Sequence, residues 1–174
     1  MTATPQLRPI PYDAFLSTVR ALATQIGDPA WRPDFVIGIG RGGLTPGVYI
    51  SQQLGLPMLS IDHSAQVPGF ADDLLAKVAA MTVAGTRFVF VDDINDSGGT
   101  IAYIRGVLAA EGAVADHLRF AVLINNIRSK AVVDYSVETI DRHEEKCWFV
   151  FPWESVAGDE TLVTEALSVP ERLG

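Results

Sequence analysis

Cysteine is nearly missing from this chain: Cys147 is the only one in 174 residues. That excludes a disulfide framework and any cysteine-rich zinc or iron–sulfur site. Histidine is scarce too, and His117 and His143 have no partner at metal-ligand spacing. Positive charge is in short supply, with 13 Lys and Arg against 21 Asp and Glu and a net charge of −8. Such a surface repels nucleic-acid phosphates and anionic lipid, so neither partner is expected. No apolar run approaches the roughly 18 residues of a membrane span. Residues 1–12 carry prolines but no apolar h-region, so no signal peptide is expected and the expected compartment is the cytoplasm. There is no Gly-Lys-Ser/Thr for a Walker A loop, and no repeat, linker or low-complexity segment.

What remains is ordinary globular material, 48% hydrophobic and 20% charged. The length suits one domain at roughly 150 residues per domain. Short apolar runs alternate with longer amphipathic stretches. Asp13 is placed to cap a helix with Leu16, Val19, Leu22, Ala23 and Ile26 on one face and Gly27 past its end. A buried strand is expected over 35–39, followed by a helix with Thr45 and Pro46 as N-cap and first residue, ending near Gly55. Further strands are expected over 57–61, 87–92, 118–124, 134–138 and 147–151, with helices over 71–81 and 100–110 and a loop over 62–70. Strand–helix alternation with nearly continuous apolar strands implies an α/β fold: a mostly parallel sheet with helices on both faces. Ligands of such sheets sit beyond the carboxyl ends of the strands. Chemistry is therefore sought after Ile39, Ile61, Val91 and Ile124.

The strongest signal follows Val91: Asp92, Asp93, Ile94, Asn95, Asp96, Ser97, Gly98, Gly99, Thr100. Glycines let the backbone approach a ligand, and amides at a helix N-terminus with the Ser97 and Thr100 hydroxyls make a phosphate cradle. Acids repel a phosphate but suit sugar hydroxyls or a divalent metal. The combination points to a sugar phosphate. A second segment, Gly40, Arg41, Gly42, Gly43, follows the first strand, where amides and one guanidinium can hold an anion together. A third, Cys147-Trp148-Phe149-Val150-Phe151-Pro152-Trp153-Glu154, offers aromatic faces for a flat base. Strand alternation puts Trp148 and Val150 on one face and Phe149 and Phe151 on the other, so one pair belongs to the core.

The run from Val91 to Ile101 resembles the phosphoribosyl-diphosphate motif of type I phosphoribosyltransferases: apolar strand, Asp-Asp, two spacers, Asp, Ser/Thr, Gly-Gly, Thr. The first loop resembles that family's pyrophosphate loop, with Gly40 in place of the usual serine. The aromatic segment resembles that of 6-oxopurine enzymes of the xanthine-guanine and hypoxanthine-guanine groups. The resemblance runs from about Tyr12 to Glu154. It implies a single domain over 1–174, with a hood built from about 1–15 and 125–174, in a homo-oligomer.

It also implies the chemistry. A purine would displace pyrophosphate from phosphoribosyl diphosphate, with Mg²⁺ held at Asp92 and Asp93 largely through water and substrate. Asp92 and Asp93 would fix the ribose diol, and residues 97–100 the 5′-phosphate, beside Ile94 and Asn95. Gly40, Arg41, Gly42 and Gly43 would hold pyrophosphate, and Asp96 would face purine N7. Trp148 would pack on the base, with the backbone beside Phe149 reading its 2-position edge. Two departures stand out. Asn125 occupies the position where relatives carry a lysine toward the purine's exocyclic oxygen, leaving Arg128 or Lys130 as substitutes. The loop after Asp62, which in relatives closes over the site, has no Lys or Arg; His63 within it is placed either near pyrophosphate or at the surface. Three other readings stay open here: another base with the same chemistry; a regulatory relative that keeps the phosphoribosyl site and binds RNA or DNA, or phosphoribosyl diphosphate or nucleotide, without catalysis; and a signalling receiver domain.

Overall fold

A computed structural model describes residues 5–62, 67 and 69–168. The elements run β1 (Gln6–Pro9), α1 (Tyr12–Ile26), β2 (Phe35–Ile39), α2 (Gly40–Leu54), β3 (Met58–Ile61) and α3 (Phe70–Val83). Then follow β4 (Phe88–Asn95), α4 (Gly99–Ala110), β5 (Leu118–Asn126), β6 (Tyr135–Ile140), β7 (Cys147–Val150) and α5 (Asp159–Leu167). Five strands form an all-parallel sheet in the order β3-β2-β4-β5-β6. The reason is visible in β4, where Phe88, Val89, Phe90 and Val91 are all fully buried. Alternate residues feed opposite layers. Val36, Val89 and Val91 pack under Phe15, Val19, Leu22 and Ile26 of α1 and Ile50 of α2. Ile37, Phe88, Phe90 and Phe120 pack under Leu75 of α3 and Ile104 and Leu108 of α4. The expected α/β fold is thus the observed one.

The boundaries carry corrections. Pro11 rather than Asp13 precedes α1; Asp13 lies in its first turn, where its charge suits the helix dipole. Helix α2 begins at Gly40, with φ +51°, not at Thr45-Pro46. Pro46 is buried inside the helix, so the proline that reads as a start signal is tolerated in the interior. Strand β4 continues through the acidic pair to Asn95 because it keeps pairing with β5, Ile94 opposite Ile124 and Asn95 opposite Asn125. Strand β1 and helix α5 were not expected. β1 pairs in parallel with β7 in a separate two-stranded sheet. α5 sets Leu162 and Ala166 against Trp148 and Val150. His63 and most of the loop around it lie outside the described residues. No described helix is long and apolar enough to cross a membrane.

Candidate active site

At the carboxyl end of the sheet lies a cleft of about 640 Å³. Its walls include Gly40, Arg41 and Gly42 of α2, then Asp92, Asp93, Ile94, Asn95 and Asp96, then Ser97, Gly98, Gly99 and Thr100, and Trp148 and Phe149 from β7. The three segments singled out from sequence therefore share one cavity. Two expected residues do not line it: Gly43 and Asn125.

Glycine is required where α2 crosses β4. A Cβ on Gly43 would collide with the Val91 carbonyl, and one on Gly42 with the Asp93 carboxylate. This close approach brings the anion-binding turn against the acidic pair. Asp92 Oδ1 accepts the Asp93 N–H at 3.0 Å, and Asp93 Oδ1 accepts the Ile94 N–H at 2.7 Å, which fixes both carboxylates. Gly98, at φ +85°, turns the chain into α4, and a Cβ there would lie 2.6 Å from the Ala131 amide. The first amides of α4 thus open on the cleft without intrahelical acceptors, the arrangement that binds phosphate.

Asn95 turns out to be a bracket. It is 2% exposed, and its Nδ2 donates to Asn125 Oδ1 at 2.8 Å and to the Ala131 carbonyl at 2.7 Å. Its Oδ1 accepts from Ser129 Oγ at 2.8 Å. Asn125 accepts the bond from Asn95 through Oδ1, which leaves its Nδ2 as the donor, and it does not itself line the cleft. Arg128 and Lys130 do not line the cleft either. Arg128 is clamped on Asp141 at 2.6 and 2.8 Å and holds that carboxyl down to about 2, while Lys130 is exposed.

Asp96 is buried and tied to Arg142: Nη2 donates to Oδ2 at 2.8 Å, and Nε lies 3.0 and 3.1 Å from the two oxygens. Both oxygens of Asp96 are thus fixed as acceptors of guanidinium hydrogen bonds in the cleft wall. Sequence reasoning missed Arg142. The available signal was position: it lies two residues past the end of β6, at the same sheet edge as the other site residues.

Arg41 reaches across to Glu165 of α5 at 3.1 Å, and both line the cleft. Trp148 lines the cleft and also packs on α5. Phe149 faces the core and stacks near the Arg142 guanidinium, 5.1 Å from ring centre to Cζ. Trp153 stacks on Phe151 at 4.7 Å. Burial pushes the Glu154 carboxyl up to about 7; the Phe151 N–H and Arg41 oppose the rise, while the charges of Asp93 and Glu165 add to it.

A family model described as a phosphoribosyl transferase domain matches residues 11–156. Among solved structures, a purine phosphoribosyltransferase from Pyrococcus horikoshii Ot3 is 25% identical, with TM-score 0.62, covering 85% of this chain and 94% of its own. The xanthine-guanine-hypoxanthine phosphoribosyltransferase of Helicobacter pylori is 22% identical, with TM-score 0.62, over 86% and 94%. A Neisseria gonorrhoeae protein with bound ppGpp is 23% identical, with TM-score 0.67, over 96% and 98%.

Proposed function

Since the chain belongs to the phosphoribosyl transferase domain family, we propose that it is a purine-salvage pentosyltransferase. It moves the 5-phosphoribosyl group from phosphoribosyl diphosphate to a 6-oxopurine and releases pyrophosphate. One observation carries this reading: the acidic pair, the glycine turn, Arg41 and an aromatic wall all meet in a single cleft.

The residues divide the substrate by its chemistry. The α4 amides with Ser97 and Thr100 take the 5′-phosphate. Asp92 and Asp93 accept from the ribose hydroxyls. Arg41 and the first turn of α2 take the diphosphate. Trp148 and Phe149 bound the base, and Asp96 accepts a hydrogen bond from its imidazole edge. Among the described residues no group of three or more His, Cys, Asp or Glu forms a metal cage. Two carboxylates and water do suit a hard divalent ion that takes its other ligands from substrate oxygens. Mg²⁺ bound there neutralises the diphosphate leaving group. The β1–β7 sheet and α5 serve as the hood over the base, in a homo-oligomer working in the cytoplasm.

The test is a panel of guanine, xanthine, hypoxanthine, adenine and orotate with phosphoribosyl diphosphate and Mg²⁺. A 6-oxopurine should be the best acceptor. Adenine or orotate as the best acceptor would move the base assignment and leave the phosphoribosyl chemistry standing. A second reading, nucleotide binding without transfer, is supported by the ppGpp-bound relative, whose match covers 96% of this chain. Tight ppGpp binding with no turnover of any base would favour it.

A further inference from the structure

Arg142 and Asp96 form an ion pair whose side chains are 7% and 4% exposed, in the wall of the cleft. A pair this deep keeps both charges only if nearly every polar atom is satisfied. Arg142 has five N–H groups. Nε–H and one Nη2–H go to Asp96. Both Nη1 hydrogens are engaged by the carbonyls of Glu145 at 3.1 Å and Cys147 at 2.6 Å. Among the described residues the second Nη2–H has no acceptor. Asn126 locks the assembly from behind, donating to the Asp96 carbonyl at 3.1 Å and accepting the Arg142 N–H at 3.3 Å. These bonds hold the guanidinium in place in the cleft wall.

We propose that Arg142 is the base-selecting residue. Its outer Nη2–H donates to the exocyclic oxygen of a 6-oxopurine, beside Asp96, which accepts from the neighbouring ring N–H. A donor next to an acceptor complements a carbonyl next to an N–H. Adenine presents an amino group at position 6, so a donor would face a donor. A site built to hydrogen-bond one edge rejects the analogue that leaves its buried group unmatched. The chain thus supplies from the end of β6 the cation that the neutral amide of Asn125 does not supply from β5. This inference rests on the proposed function.

The experiment measures kcat/KM for hypoxanthine and adenine in the wild type, Arg142→Lys and Arg142→Gln. The ratio of the two should fall roughly tenfold or more in Arg142→Gln, mainly through the KM for hypoxanthine. Arg142→Lys should recover part of the ratio, and the KM for phosphoribosyl diphosphate should stay within about twofold. Because Arg142→Gln strands a buried carboxylate, the double variant Asp96→Asn/Arg142→Gln keeps the site neutral if the single one does not fold; its ratio should fall too. Folded variants with the wild-type preference would overturn the role of Arg142 and leave the proposed function intact. A wild type that transfers to no base would overturn the function, and this role with it.

Discussion

Glu154 shows how the cleft taxes its own side chains. Its carboxyl sits at about 7 in the folded chain against an ordinary 4.5, chiefly through burial. A raised carboxyl contributes stability that is fully present below the unfolded value and is lost as the pH climbs through the folded one. Glu154→Gln should therefore flatten the stability profile between about pH 4.5 and 7. Glu154 is partly exposed, so the wild type should lose only about 1 kcal/mol relative to the variant across that window. Parallel thermal melts at pH 4.5 and 7.5 would show it; equal slopes in the two proteins would contradict the shift. Asn95 makes a different claim. Removing its amide leaves the Ala131 carbonyl and Asn125 without their partner, so Asn95→Ala should cost about 1–3 kcal/mol in denaturant unfolding. A stability within about 0.5 kcal/mol of wild type would contradict this bracing role. Arg41→Ala should raise the KM for phosphoribosyl diphosphate roughly tenfold, with Lys recovering part, since one ammonium lacks the bidentate fork. Asn95 and Asn125 also mark the limit of reading residues from sequence. Their place in the motif was legible, but their bonding depended on Ser129 and Ala131, some 35 positions from Asn95, which no local pattern links to it.

Among the elements, those with a strong period were legible. β2 and β4 announce themselves as continuous apolar runs, and α1 by its buried face of Val19, Leu22, Ala23 and Ile26. β1 is four residues, Gln-Leu-Arg-Pro, mostly exposed, and it exists because β7 pairs with it from the far end of the chain. α5 has nine residues and buries only Leu162 and Ala166. It nevertheless shapes the site, because Glu165 holds Arg41 where a diphosphate would compete for it. An exposed pair of this kind is worth about 0–1 kcal/mol. Glu165→Gln should therefore lower the KM for phosphoribosyl diphosphate by no more than about fivefold and leave the KM for the base unchanged. A rise in the former would show that Glu165 helps to bind substrate instead of competing with it.

For the whole molecule, the net charge of −8 sets the terms on which a polyanionic substrate enters. The cleft itself gathers Asp92, Asp93 and Glu165 with Arg41, while Arg142 is already matched by Asp96. That balance opposes a diphosphate unless a divalent ion accompanies it. The three motifs meet at the carboxyl end of the sheet, which is why the reaction class was legible, while Arg142, in the turn between β6 and β7 that carries none of them, was not. The most direct measurement follows pyrophosphate and nucleoside 5′-monophosphate together in a mixture of the protein, phosphoribosyl diphosphate, hypoxanthine and Mg²⁺. Equimolar release of both is predicted, abolished by excess chelator with the melting temperature unchanged. Pyrophosphate without nucleotide, no product with any base of the panel, or full transfer in excess chelator would contradict the account.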